Sequence, residues 1–352
     1  MFRIEMLPAR EGDCLWISYG DPGAPRHLLV DGGRKATAKT VRKKLEALGP
    51  GGRLELLVIS HIDRDHIEGI LTLLEDGGLG VEVGDVWFNG YDHLLGPEVQ
   101  PFGAAQGERL SKALLDLDLP WNATFGGGRV CVTDNKLPKV KLPGDLTVTV
   151  LSPTPAKLAA LRPVWEKECQ KAGLSLTHHP RHQGEAPEGI EIMGAIDVDG
   201  LAGSVFDEDG AEPNGSSIAV LIEFEGKRVL LGADAHPGVL VETLKILGAG
   251  APVALDAFKI AHHGSAHNTS NDLLKAVSCD RWLISSNGSY FQHPDRSAVA
   301  RVIKSAGGER HLFFNYRSKF SEIWDDVGMR AAFNYSTAYP EAAGPGHLIV
   351  DL

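Results

Sequence analysis

Apolar residues recur along this chain with two alternating periods, and the places where the period changes mark its elements. Residues 2–31 read as three short strands: 2–7, the stretch Cys14-Leu15-Trp16-Ile17-Ser18 after Gly12-Asp13, and 27–30. Asp21-Pro22-Gly23 supplies a turn, and Asp31-Gly32-Gly33 a sharp exit that glycine permits cheaply. The period then lengthens to that of a helix over 36–48, where Val41, Leu45 and Leu48 share one face before Gly49-Pro50-Gly51-Gly52 stops it. A buried-type strand follows over 54–60, then a helix carried by Ile67, Ile70, Leu71 and Leu74, and a strand over 81–89.

From residue 90 to about 215 the pattern thins. Helices are expected over 107–117 and 156–172, the latter with Pro163 at a kink or in its first turn, and a strand over 146–152. Residues 173–215 contain His178-His179-Pro180-Arg181-His182 without clear periodicity and read as a long loop reaching over a site. The pattern returns with a hairpin, 218–224 and 228–232, turned at Glu225-Gly226-Lys227. Pro237 then opens a helix at a favoured first position, followed by strands 254–261 and 281–285, a helix 297–306, and strands 311–316 and 347–352. Strands outnumber helices, and polar clusters sit repeatedly at strand ends. Such a pattern suits two packed sheets with helices outside and the polar groups along one rim.

Those strand ends carry the candidate chemistry. The apolar run ending at Ser60 delivers His61, Asp63, Asp65 and His66 within six residues. Imidazole and carboxylate are the groups that zinc, manganese and iron take from proteins. Later strand ends bring Asn214 to Ser217, Asp234 after Gly232-Ala233, His262-His263-Gly264-Ser265, and His293-Pro294.

His61-x-Asp63-x-Asp65-His66 resembles the His-x-His-x-Asp-His signature of the metallo-β-lactamase-fold hydrolases, with Asp63 in the place of the middle histidine. That variant occurs in the metallo-hydrolase domain of bacterial competence DNA-uptake channels and their free-standing relatives. The resemblance covers most of the chain outside roughly residues 90–140 and 156–213. It implies an α/β fold, a four-layer αββα sandwich, formed by one domain over 1–352 with 90–213 as an inserted region. It also implies two divalent ions, zinc or manganese, with magnesium as a further option. By this resemblance His61 and Asp63 hold the first ion, Asp65 and His66 the second, and Asp234 bridges the two. His262 completes the second site, with His263 either the true ligand or a neighbour of the substrate. Asp65 orients the attacking water, and His293 or His263 protonates the leaving oxygen, which makes Asp65, His263 and His293 the expected catalytic set. Many members have a further histidine for the first ion; here His93 and the 178–182 cluster are the options, neither in a matching motif. An oxygen-rich first site tilts from zinc toward manganese or magnesium. Gly12-Asp13 and Asp31-Gly32-Gly33 also occur in that family, beneath the metal loop.

Composition narrows the function classes. The 352 residues carry 46 acidic against 35 basic side chains, a formal charge of -11, so the bulk protein does not attract nucleic acid. A phosphodiester or nucleic-acid substrate must then be drawn by the metals and a local basic patch, for which Lys259, Arg281, Arg296 and Arg301 are the candidates. Four scattered cysteines suit a reducing cytoplasm, and no apolar run approaches membrane-spanning length, so a cytoplasmic protein without membrane insertion is expected. There is no Gly-rich phosphate cradle and no serine nucleophile motif. The leading expectation is a metal-dependent phosphodiesterase or nuclease. The alternatives are a lactone, thioester or β-lactam hydrolase on the same fold, or a partner-regulated binding module with a degenerate site. Residues 90–213 are the expected contact for a protein partner.

Overall fold

The computed structural model describes residues 1–94, 105–133, 136–171, 196–341 and 346–352. Two main sheets dominate it. A six-stranded sheet runs Leu348–Asp351, Phe2–Met6, Leu15–Tyr19, Arg26–Val30, Leu56–Val58, Val86–Trp87. An eight-stranded sheet runs Tyr335–Ala338, Arg310–Phe314, Arg281–Ile284, Ala257–Lys259, Lys227–Leu231, Ala219–Phe224, Thr147–Ser152, Lys139–Lys141.

The near-continuous apolar character of the central strands has a direct cause: both of their faces are buried. Leu28, Val30, Leu56 and Val58 of the first sheet meet Val148, Val220, Val229 and Leu231 of the second in one core between the sheets. The alternate residues point the other way. Leu29 and Leu57 pack on Val41, Leu45, Ile67, Ile70 and Leu74 of helices Ala38–Glu46 and Arg64–Glu75. On the far side, Leu221, Leu230 and Trp282 pack on Leu240, Leu244, Val299 and Ile303 of helices Pro237–Leu247 and Arg296–Lys304. Three cores therefore lie between four layers, helix, sheet, sheet, helix, as the αββα expectation requires. Each fully buried Leu, Ile or Val contributes on the order of 2 kcal/mol, so strands lined on both faces are what the layers are built from.

Three expected strands break in two. Arg53–Leu54 pairs with Glu82–Val83 in a small ribbon, while Leu56–Val58 and Val86–Trp87 enter the main sheet. Val253–Leu255 likewise pairs with Val277–Cys279, while Ala257–Lys259 joins the larger sheet. Buried Glu55, held by Arg26 and Arg53, and Asp256, held by Lys227 and the Arg228 amide, sit at two of the breaks and take hydrogen bonds that a continuous ladder lacks. The region after residue 195 contains two short helices, Val198–Ala202 and Glu212–Gly215, rather than loop alone. Helix Val327–Phe333 and edge strand Tyr335–Ala338 have no counterpart in the sequence reading. Among the described residues no helix is long and apolar enough to cross a membrane.

Parallel pairing positions the site. Arg26–Val30 lies parallel to Leu56–Val58, and Lys227–Leu231, Ala257–Lys259 and Arg281–Ile284 are parallel in succession. Their C-terminal ends share a rim, where crevices between strand exits admit ligands.

Candidate metal centre

Asp234, 2% exposed, lies at the middle of the rim. Its Oδ2 is 3.8 Å from His61 Nε2, 3.4 Å from His66 Nε2 and 3.7 Å from His262 Nε2, and its Oδ1 is 3.7 Å from His263 Nε2. Asp63 Oδ2 stands 3.6 Å from His61 Nε2 and is the most exposed of these acids; Asp63 occupies the position before helix Arg64–Glu75 with its side chain free of any capping bond. Asp65 Oδ2 lies 3.4 Å from His263 Nε2, and the two facing nitrogens of His66 and His263 are 3.2 Å apart. The donor atoms form overlapping groups, His61-His66-Asp234 and Asp65-His66-His263 at the rim and Asp13-Asp234-His263 and Asp13-Asp31-His66 beneath it, each within 4.8 Å.

The hydrogen bonds behind these rings fix their tautomers. His66 Nδ1 donates to Asp31 Oδ2 at 2.8 Å, and His263 Nδ1 donates to the Ser285 carbonyl at 3.0 Å. The single Ser60 hydroxyl proton goes to Asp31 Oδ2, so Ser60 Oγ accepts from His61 Nδ1 at 3.0 Å. Every neutral ring thus presents an Nε2 lone pair to the same space, an orientation that such partners give to metal-binding histidines. Two lone pairs facing at 3.2 Å repel unless a cation lies between or beside them. His61 Nε2 and Asp234 Oδ1 are buried with no hydrogen-bond partner. The Nε2 atoms of His61, His66, His262 and His263 and the carboxylates of Asp63, Asp65 and Asp234 form a mixed N/O set that fits a divalent ion such as zinc or manganese.

Charge tells the same story. Burial opposes ionisation of Asp65 and Asp234, yet the neighbouring histidines hold both carboxyls below the usual range. Burial likewise opposes protonation of His66 and His263. The charges of Asp234 and Asp31 outweigh it at His66, those of Asp234 and Asp13 at His263, so His66 rises well above its ordinary value and His263 to about 9. Without metal the pocket holds protons instead. A raised pKa means that this proton-linked stability is complete below about 6.5 and is lost as pH climbs through about 9. The gap in melting temperature between metal-loaded and chelator-stripped protein is therefore expected to widen from pH 6.5 to 9.5. A constant gap in paired thermal melts would count against protons standing in for metal.

The remaining expected residues distribute as follows. His263, not His262, stands against Asp65 and His66; His262 turns its Nε2 to Asp234 Oδ2 and donates from Nδ1 to Asn268 Oδ1 at 2.9 Å. Asp209, from the region with no readable pattern, accepts from Asn214 and Asn268 and lies 3.5 Å from His262 Nδ1. Its position depends on a long-range fold contact, so no local signal revealed it. His293 Nδ1 donates to Asp295 at 3.2 Å, its ring centroid is 5.3 Å from that of His262, and burial lowers its pKa. His93 is excluded as a ligand: Nδ1 accepts from the Gly90 amide and Nε2 bonds the Gly127 carbonyl. The 178–182 cluster lies outside the described residues. The expected basic patch also fails in part. Lys259 is fully buried, paired with Asp13 at 2.7 Å, and Arg301 is spent on the carbonyls of Ala266 and Thr269. Arg281 opens its strand at the end away from the rim. Asp13 and Asp31 act beneath the site, through His263 and His66.

The backbone is shaped to bring these groups together. Asp31, Ala233, His262, His263 and Gln292 all have left-handed φ between 45° and 61°, costly for non-glycine residues and concentrated at the loops that carry the donors. Two glycines allow close approach: a Cβ at Gly12 would collide with the Asp65 carbonyl, and one at Gly69 with that of Gly32. These contacts seat helix Arg64–Glu75, and with it Asp65 and His66, on the loops below.

The fold and site together define an α/β, four-layer αββα protein with a His/Asp donor cluster at its strand ends. No protein-family model matches the chain, and no curated protein matches it. Among solved structures it is similar to Zn(2+)-bound PqqB from Methylobacterium extorquens, with a TM-score of 0.39 and 14% identity over 96% of this chain and 87% of that one. It is similar also to the metallo-beta-lactamase fold protein YhfI from Bacillus subtilis, with a TM-score of 0.42 and 11% identity over 99% of each chain. A mutant of CmlA beta-hydroxylase gives a TM-score of 0.42 and 14% identity over 100% of this chain and 54% of that one, so the chain spans about half the length of CmlA.

Proposed function

We propose that this chain is a metal-dependent hydrolase, and within that class a phosphodiesterase. The observation that carries the reading is the convergence of buried Nε2 lone pairs on Asp234, with His66 and His263 facing at 3.2 Å. His61, Asp63 and His262 would hold a first ion and Asp65, His66 and His263 a second, with Asp234 within reach of all four rings. Two divalent ions, when bound, supply Lewis acidity and make water a competent nucleophile near neutral pH. Asp65, 3.4 Å from His263 Nε2, would orient the attacking water. The water oxygen joins phosphorus and gives up a proton, the P–O bond to the leaving group breaks, and the leaving oxygen takes up that proton. His293, held by Asp295 next to His262, is the group placed to exchange that proton. The phosphodiester preference is supported by Asp63 in the place of a histidine, as in the competence-type proteins that the motif resembles. Four buried cysteines fit a reducing compartment.

A second reading has its own support. Lys259 and Arg301 are committed to interior partners, which favours an uncharged ester such as a lactone or thioester. The test is hydrolysis of bis-p-nitrophenyl phosphate by chelator-stripped protein with zinc, manganese or magnesium restored. Metal-dependent turnover that vanishes in Asp65→Ala/His66→Ala is the expected result. Bound metal without phosphodiester turnover shifts the reading to esters, and absence of bound metal by elemental analysis sinks the enzyme.

A further inference from the structure

Building on the phosphodiesterase reading, we infer that Phe291 and Tyr290 form a stacking ledge for an aromatic base of the substrate, which makes a nucleotide-sized diester the substrate class. Among the described residues, the large apolar side chains that stand exposed include two aromatics, Tyr290 at 56% and Phe291 at 46%. They are neighbours in sequence and border the metal centre. Phe291 stacks on His293 with centroids 5.8 Å apart and planes at 22°, and its ring lies 6.0 Å from that of His262. Tyr290 meets Phe291 edge-on at 4.5 Å. His262 in turn places Nε2 3.7 Å from Asp234 Oδ2. One imidazole therefore separates the bridging carboxylate from the ledge, the kind of gap that a sugar leaves between a phosphate and its base. Gln292, between the two stacked rings, has a left-handed φ of 61°, so a turned backbone presents Phe291 and His293 together.

The chemistry of the surroundings favours a small substrate over a long polyanion. Lys259 and Arg301, two of the cations on the second sheet's loops and helices, are bound internally, and Arg296 is exposed three residues after His293. Base recognition falls instead to ring stacking, which tolerates any base because every base has a π-face.

The experiment is calorimetric binding of adenosine 5′-monophosphate, ribose 5-phosphate and adenosine to the manganese-loaded full chain. The nucleotide is expected to bind on the order of tenfold tighter than the sugar phosphate, the size of a base stacked on an aromatic ring. Phe291→Ala/Tyr290→Ala is expected to erase that advantage while leaving ribose 5-phosphate binding unchanged, and Phe291→Trp to restore it with Tyr290 intact. Equal binding of the two phosphates, or an advantage that survives the double variant, overturns the ledge and leaves the metal-site reading standing. Adenosine binding that needs Phe291, with neither phosphate bound through the metals, keeps the ledge and removes the phosphodiesterase reading. Failure of all three ligands to bind overturns both.

Discussion

Asp234→Ala is expected to empty the metal centre and abolish turnover. Among the described residues the carboxylate is the sole acid within reach of all four imidazole nitrogens, at 3.4–3.8 Å. Burial works against its charge, and His66, His262 and His263 nevertheless keep its pKa well below the usual value, so it is the anion that the rings are arranged around. Removing groups that merely support a ligand costs about 10–100-fold in metal affinity, and loss of a shared ligand should exceed the upper end of that range. A bound metal supplies several kcal/mol of transition-state stabilisation, with tenfold in rate for each 1.36 kcal/mol, so turnover should fall by about 1,000-fold or more. Elemental analysis and the phosphodiester assay read the two effects separately. Wild-type metal content and rate in Asp234→Ala would remove this residue from the site.

Lys259→Met should be the most destabilising single change on the rim side of the larger sheet. Its ammonium is fully buried against Asp13 Oδ2 at 2.7 Å and the Ile260 carbonyl at 3.0 Å. Deleting one member of such a pair leaves a bare charge in the core, at a cost of about 3–5 kcal/mol. Asp13→Asn added to Lys259→Met should recover part of the loss, since the orphaned charge goes too. Burial raises the pKa of Asp13, but Lys259 and His263 overcome it and the folded value is depressed. The pair's contribution is therefore present above the unfolded carboxyl value of about 3.8 and fades as pH falls through the folded one. Denaturant midpoints at neutral pH and in acid check both the size and the pH trend. An unchanged midpoint at pH 7 would mean that Lys259 is not the counter-ion of Asp13.

The layered fold was legible because strand stretches such as Leu56–Val58 and the Val-Leu-Leu end of Lys227–Leu231 are apolar on both faces, and that reports burial between two layers directly. The donor loop was legible for the opposite reason: Asp63, Asp65 and His66 are polar residues crowded against an apolar strand. What stayed hidden depends on distant partners. Lys259 reads as a surface charge until Asp13, from the other sheet's loops, is brought to it. The choice between His262 and His263 turns on two successive left-handed residues, which rotate the rings apart and send His263 to Asp65. Asp209 has no periodic context, and its bond to Asn268 spans 59 residues. The broken strands escaped because Glu55 and Asp256 look like ordinary polar interruptions until their ion pairs are visible.

The separation of the donors along the chain has a consequence for how the protein is made. His66 and His263 are 197 residues apart, and Asp13 and Lys259 are 246 apart. At ribosomal speeds of about 5–20 residues per second, the first four donors leave the tunnel roughly 10–40 s before His263. During that interval they belong to a half-built pocket with no opposing wall. Full metal capture must therefore wait for His263 to emerge, and a retained ion would report that the two sheets have docked.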